Sequence, residues 1–510
     1  MEEIFDNLGL PRRGRVYLLG IGGIAVSSLA QWFLSQKWTV EGSDIAKSPM
    51  TEELRKRGIN VKIGPQNRLT LPRRFNLVIY SQAAAGNRLC DEALARGIPA
   101  FSYPQFAGHL TRWYRTVAIA GAHGKSTTTA IAGLILKAAR FDPTVIVGTK
   151  LREFAPLQPG RRTVVTGFGG RNFRPGRSRW LVLEADEYGR AFLNYSPAIA
   201  LVTNIDREHL DTYKDLADIK RAFMQFLSNT AHGGMLVLNR DDKNLRSLAL
   251  RIRKLAIERK LKVIWYSTRS ADTRKIRTVM NMPGEHNVSN ACATFALARA
   301  LRIPSATALR VIGAYRSSWR RMEYRGTLQA SGFMLQVFDD YAHHPTEIRA
   351  ALAAFKEKYP EHPIICVFQP HQAKRLHLLW REFIGAFDDA DVVVLLPLYR
   401  VAGRDPSAHS TSAQGGEQSR TTSSGQATSA NLAAAIRKKH PKKIVHYLAN
   451  PENLKKFLTK TLSPSLLPTA CLPRQSASAS RQNPRRSAVV VMMGAGDIVN
   501  YTDALVEHRA

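Results

Sequence analysis

The chain has 510 residues, and 74 Lys and Arg against 40 Asp and Glu give it a formal net charge of +34. At roughly 150 residues per domain the length predicts three domains; with 44% hydrophobic and 22% charged residues, wholesale disorder is excluded. No apolar run of about 18 residues occurs, which excludes a transmembrane helix, and the opening stretch through Arg15 has no apolar core of the secretory kind.

Short apolar runs alternate with helical patterns from the start. Val16–Leu19 predicts a buried strand, Ala25–Gln36 a helix, and Trp38–Val40, Leu77–Tyr80 and Ile98–Phe101 further strands. A second series opens at Thr116–Ala120, followed by a helix from Ser126 to about Arg140 and strands at Leu181–Leu183, Ala198–Val202, Met235–Leu238 and Val263–Tyr266. A third runs through Phe333–Phe338, Ile364–Phe368, Val392–Leu396 and Ala488–Met493. Strands alternating with helices predict parallel sheets, so the fold class is α/β, with three α/β domains in tandem. Ser407–Ser429 and Leu462–Arg486 lack apolar periodicity and are expected as mobile polar insertions.

The four cysteines lie far apart without metal-type spacing, which suits a reducing compartment and excludes a disulfide framework. The charge admits two readings, a polyanion binder or a background basic bias. The net charge is +5 over residues 1–110, +19 over 111–315 and +10 over 316–510. An excess in every segment, with no alternation of basic and aromatic residues, favours the bias, and no nucleic acid is expected.

Gly20-Ile21-Gly22-Gly23 follows a strand and opens a helix, and Asp44 follows the next strand. Such glycines let a backbone approach a diphosphate at a helix N-terminus, with the acidic residue on a ribose. The pattern suits an NAD-dependent oxidoreductase as readily as a UDP-sugar binder, and a packing turn would also produce it. Gly121-Ala122-His123-Gly124-Lys125-Ser126-Thr127-Thr128 is more specific. Between a strand and a helix it reads as a phosphate loop: backbone N–H groups around the phosphates, Lys125 on the β/γ oxygens, and the Ser126 hydroxyl on Mg²⁺. ATP is the expected nucleotide.

This short loop, with His123 inside it, resembles that of the Mur ligases, the ATP-dependent amide-bond formers of peptidoglycan synthesis. Histidine at this place resembles the branch that adds L-alanine to UDP-N-acetylmuramate, or the related ligase that attaches a tripeptide. Leu183-Glu184-Ala185-Asp186-Glu187 ends a strand, where carboxylates suit Mg²⁺ or form a mere surface acidic cluster. The resemblance makes Glu184 a metal ligand and gives His209, in Thr203-Asn204-Ile205-Asp206-Arg207-Glu208-His209-Leu210-Asp211, the second metal. Pro283–Ala291 resembles the family's Pro-Gly-x-His-Asn-x-x-Asn-Ala segment, whose amides, Asn287 and Asn290 here, would meet the adenine edge; by itself the segment reads as a helix start with an Asn cap.

In the last third, Arg321 matches a phosphate-contacting arginine and Asp340 the acidic residue on the ATP ribose. Asp340-Tyr341-Ala342-His343-His344-Pro345 is a highly specific match that implies Tyr341 and His343 at the reacting centre. Phe368-Gln369-Pro370-His371-Gln372-Ala373-Lys374-Arg375 is similar to the family's Phe-Gln-Pro-His-Arg-x-x-Arg, implying His371 on substrate and Arg375 in catalysis. Gln372 departs from the pattern, as does Ala25 at the third glycine of the first loop; Met493–Ile498 matches the family's terminal Gly-Ala-Gly-Asp-Ile turn.

The resemblance implies a Rossmann-like UDP-sugar domain (1–110), a central P-loop ATP domain (111–315) and a Rossmann-like amino-acid and nucleotide domain (316–510). The expected reaction is L-alanine addition to UDP-N-acetylmuramate through an acyl-phosphate, with ATP and Mg²⁺, in the cytoplasm, by a monomer or homodimer. The tripeptide ligase is the alternative. Glu187-Tyr188 leans toward it, and Asn204-Ile205 with His209–Tyr213 leans toward the alanine branch.

Overall fold

The computed structural model describes all residues except 1–2, 66–68, 72, 155–169, 331–332, 400–426, 462–486 and 507–510. Three sheets follow one another along the chain. The first holds β1 (Arg15–Leu19), β2 (Thr39–Asp44), β3 (Asn60–Ile63), β4 (Leu77–Tyr80) and β5 (Ala100–Ser102). All its pairs are parallel, in the order β3-β2-β1-β4-β5. The second holds β6 (Arg115–Ala120), β7 (Thr144–Leu151), β8 (Arg171–Arg174), β9 (Trp180–Glu184), β10 (Ile199–Val202), β11 (Met235–Asn239) and β12 (Lys262–Tyr266). Its order is β12-β11-β10-β6-β9-β7-β8, and only β7 and β8 pair antiparallel. The third holds β13 (Glu323–Ala330), β14 (Phe333–Asp340), β15 (Ile364–Phe368), β16 (Val392–Leu395), β17 (Ile444–Tyr447) and β18 (Ser487–Met493), in the order β13-β14-β18-β15-β16-β17. There only β13 and β14 run antiparallel.

The expected α/β class with parallel sheets is what forms. Central strands are apolar throughout because helices cover both faces of a parallel sheet: Val16–Leu19, Val117–Ala120 and Val489–Met493 are all fully buried. The strands that periodicity does not announce are β3, β7, β8, β13 and β17. Asn60-Val61-Lys62-Ile63 and Arg171-Asn172-Phe173-Arg174 are edge strands with one or two apolar residues each. In β7 the run Val145–Val147 is broken by Gly148, and β13 carries a register shift at Gly326.

The chain forms two compact units, Met1–Asn281 with Asn287–Ser318, and Met282–His286 with Trp319–Ala510. The first unit contains two sheets because the helix Ile24–Ser35 belongs to both. Its Trp32 indole donates to the Tyr114 hydroxyl at 3.3 Å, and Gln31 donates to the Asn172 side chain on β8 at 2.7 Å. Phe33 packs on Phe106 with ring centroids 5.1 Å apart. The expected boundary at 110/111 therefore lies inside one apolar core. The expected insertion 462–486 lies outside the described residues, as does 407–429 but for its last three residues. Of those, Thr428 caps the helix Ser429–Lys439 by accepting from the Asn431 N–H. No helix among the described residues is long and apolar enough to cross a membrane.

Candidate active site

In the first sheet β1 lies between β2 and β4, so the loops leaving β1 and β4 part company above it and open a crevice of the kind that holds nucleotides. Gly20–Gly23 is the loop leaving β1. Gly20 has φ +71, with the Ser81 side chain close against it from the end of β4, and Gly23 caps the helix. The Gly22 N–H donates to Asp44 Oδ2 at 2.8 Å, and a Cβ on Gly22 would sit 2.9 Å from that same oxygen. Loop and carboxylate are thus brought together, and one Asp44 oxygen is already engaged by the loop.

The phosphate loop leaves β6, whose neighbours in the sheet are β9 and β10. Both neighbours end on it. From β10, the Thr203 hydroxyl and the Asn204 amide donate to the His123 carbonyl at 2.7 and 2.9 Å, while Asn204 Oδ1 accepts from the His123 N–H at 2.9 Å. The His123 ring lies 3.0 Å from an Asp206 oxygen. Gly124 starts the helix Lys125–Ala138 in a left-handed conformation, φ +82, where a Cβ would lie 2.3 Å from Asn290 Oδ1. Asn290 accepts from the Thr128 hydroxyl at 3.3 Å; with Asn287, one turn earlier on its helix, it is buried. Thr127 is buried in the first turn of the loop helix.

From β9, Glu184 accepts from the Ser126 hydroxyl at 2.9 Å and from the Gly148 N–H at 2.6 Å. Burial raises its carboxyl above the ordinary range, against the pull of Lys125 and of those two donors. Lys125 Nζ donates to the Gly121 carbonyl at 2.7 Å and to both oxygens of Glu187, at 2.8 and 3.1 Å. Burial alone would lower the lysine; Glu187 and Asp186 outweigh it, so Lys125 stays charged. His209 Nε2 lies 3.2 Å from Glu187 and 4.0 Å from Asp186. Asp186, Glu187 and His209 offer ligand atoms within 4.8 Å of one another. The expected pair Ser126 and Glu184 is brought together, while His209 is held by Glu187. Hydroxyl and carboxylate oxygens beside a glycine cradle suit a nucleotide–Mg²⁺ pair, a hard cation taking hard ligands.

The second unit gathers its motifs at the ends of β14, β15 and β18. Asp340 Oδ2 accepts from the Met322 N–H and Oδ1 from the Ala342 N–H, each at 2.9 Å. Burial raises this carboxyl, and Arg321 with the two amides pulls it back. Arg321 reaches Glu347 at 3.4 Å, and its guanidinium lies 5.5 Å from the Tyr341 ring centre. Arg320, buried, donates to both oxygens of buried Asp339 and to the Gly494 carbonyl. The His343 ring lies 2.9 Å from the Tyr341 carbonyl and 5.9 Å from the His371 ring, and His371 stacks on Tyr399 at 5.7 Å. Arg375 Nη1 lies 3.2 Å from His371 Nδ1. Tyr341, His343, His371 and Arg375 therefore form one cluster. Gln372 lies beside it with φ +66, its N–H bonded to the Tyr399 carbonyl at 3.2 Å.

Three family models match in succession. Residues 15–115 match the catalytic domain of the Mur ligase family, 119–298 the Mur ligase middle domain and 320–464 the Mur ligase glutamate ligase domain. A protein of Geotalea uraniireducens named UDP-N-acetylmuramate–L-alanine ligase is 33% identical over 513 residues, 97% of each chain. The chain belongs to the Mur ligase family. Two solved structures share the fold. The UDP-N-acetylmuramate–alanine ligase of Thermotoga maritima aligns with TM-score 0.67 at 21% identity, over 96% of this chain and 98% of that one. The murein peptide ligase of Psychrobacter arcticus aligns with TM-score 0.60 at 20% identity, over 97% and 100%.

Three residues that meet the loop and its lysine had no site role assigned from sequence. Thr203 and Asn204 lie in a quoted motif, but nothing local shows that they bracket a loop about eighty residues away. Glu187 lies three residues after Glu184, and its pairing with Lys125 depends on β9 being the neighbour of β6.

Proposed function

We propose that this Mur ligase joins L-alanine to UDP-N-acetylmuramate at the expense of ATP, in peptidoglycan synthesis. The observation that carries the reading is the end-to-end match to a relative of that name, together with a phosphate loop whose lysine and serine meet acidic residues of the neighbouring strand. The lactyl carboxylate of the muramic acid takes the γ-phosphoryl group of ATP, giving an acyl-phosphate and ADP. The L-alanine amine then attacks the acyl carbon, loses a proton, and phosphate leaves from the tetrahedral intermediate.

Lys125 neutralises charge on the transferring group, and the loop amides hold the β-phosphate side in place. Ser126 and Glu184, with His209, would hold Mg²⁺, which when bound neutralises phosphate oxygens. Gly20, Gly22, Gly23 and Asp44 take the UDP part. In the second unit Arg321 serves phosphate and Asp340 the ribose, while Tyr341, His343, His371 and Arg375 serve the amino acid and the reacting carboxylate. Gln372 brings no charge to that cluster, so Arg375 is the residue left to clamp a carboxylate there. The use of ATP and a UDP-sugar supports a cytoplasmic reaction.

The test is phosphate release with ATP and UDP-N-acetylmuramate, comparing L-alanine, glycine, L-serine and the tripeptide. Release with L-alanine supports the reading; release with the tripeptide alone replaces it by the recycling reaction.

A further inference from the structure

Glu187 is 2% exposed, and both its oxygens are committed, to Lys125 at 2.8 and 3.1 Å and to His209 at 3.2 Å. A carboxylate that deep persists only with charged or hydrogen-bonding partners. Its placement is over-determined. The Tyr213 hydroxyl donates to the Glu187 carbonyl at 2.6 Å, and the next turn passes through two successive left-handed residues, Gly189 (φ +56) and Arg190 (φ +55). Arg190 is held there by Asp218 at 2.8 Å and by the Tyr213 ring at 4.9 Å. His209 is itself left-handed, φ +54. Non-glycine residues keep such conformations only where the surroundings enforce them, and they concentrate at functional sites.

Lys125 has its ammonium on Glu187 and on the carbonyls of Gly121 and Ala122. Every one of these is a protein acceptor, so a triphosphate reaching the lysine must take it over from the glutamate. We propose that Glu187 is a positioning residue that stands in for the nucleotide phosphates on Lys125 and passes the lysine to them on binding, remaining paired with His209. The exchange carries an energetic cost for the nucleotide, because an anion competes with it for the lysine and repels it. In return, Glu187 holds Lys125 at a fixed separation from His209 until the nucleotide takes the lysine over. Asp186, the nearest other carboxylate at 3.9 Å from Lys125, is half exposed and cannot provide that anchor.

The inference rests on the ATP reading above, and the experiment separates the two. ATP affinity is titrated in EDTA, where no turnover occurs, and phosphate release is measured with Mg²⁺, for the full chain and for Glu187→Gln, Glu187→Asp and Asp186→Asn. Removing a competing charge at hydrogen-bond range is expected to tighten metal-free ATP binding about tenfold in Glu187→Gln. Glu187→Asp, with a shorter reach, is expected in between, and Asp186→Asn within about twofold of the parent. The Gln variant is expected to lose at least about tenfold in kcat, so that binding and turnover move in opposite directions. A merely structural role would weaken both. Equal or weaker ATP binding in Glu187→Gln overturns the proposal, as does equal tightening in Asp186→Asn. Should the Gln variant fail to fold, unchanged affinity in Glu187→Asp overturns it. Failure of the parent chain to bind ATP at all would instead sink the ATP reading.

Discussion

Gly124→Ala is the sharpest structural perturbation of the phosphate loop. Gly124 sits at φ +82 and ψ −3, and an alanine there carries a left-handed cost of about 1–2 kcal/mol. Its Cβ would also lie 2.3 Å from Asn290 Oδ1, an atom that cannot recede freely because Asn290 is buried and bonded to Thr128. Overpacking of this kind costs about 1–3 kcal/mol. The two effects together predict a local destabilisation of about 2–5 kcal/mol. Amide exchange followed by mass spectrometry over residues 118–138 reads it directly, as faster opening of the loop helix. Adding Asn290→Ala removes the colliding oxygen and is expected to restore about 1–2 kcal/mol, leaving the backbone cost in place. The reasoning is refuted by unchanged exchange in Gly124→Ala, or by a double variant that is merely additive within about 0.5 kcal/mol.

Lys125→Ala is expected to lower kcat by at least about 10³-fold while UDP-N-acetylmuramate binding, measured by calorimetry, stays within about threefold. Arg320→Met takes from buried Asp339, whose carboxyl burial has already pushed up to about 6, its hydrogen-bonded partner and leaves it the more distant Arg325 at 3.8 Å. It is expected to cost about 3–5 kcal/mol in urea unfolding, and Arg320→Met with Asp339→Leu is expected to recover most of that. His109 and His446 have imidazole pKa values lowered by burial, and next by Arg112 and Arg437 respectively. A folded-state value below the unfolded one gives stability that is present above about pH 6.5 and is lost as pH falls through the depressed values. Thermal melts should therefore decline on the acid side of about pH 6.5, and less steeply in His109→Gln/His446→Gln.

Sequence revealed those parts whose signal is local. Strands buried on both faces, such as Val117–Ala120 and Val489–Met493, are unbroken apolar runs, and each motif loop follows such a run. Edge strands carry little of that signal, because a strand such as Arg171–Arg174 has one neighbour and a polar outer side. Partnerships were less legible than residues. Nothing along the chain states that β9 and β10 flank β6, and that order alone brings Glu187 to Lys125 and Asn204 to His123. The common core of the first two sheets was hidden for a related reason: Gln31 and Asn172 are each an ordinary polar residue until the helix meets the sheet edge.

The clasp of Thr203 and Asn204 on both sides of the His123 peptide has a thermodynamic corollary. The phosphate loop acquires its shape during folding, so the entropy of ordering it is spent before any nucleotide arrives. Nucleotide capture by such a cradle leaves little disorder to remove, and its heat-capacity change should track the apolar surface covered rather than any coupled folding. A loosened clasp, as in Asn204→Ala, would shift that ordering from the fold to the binding step, and weaker affinity would then come with a more negative binding entropy.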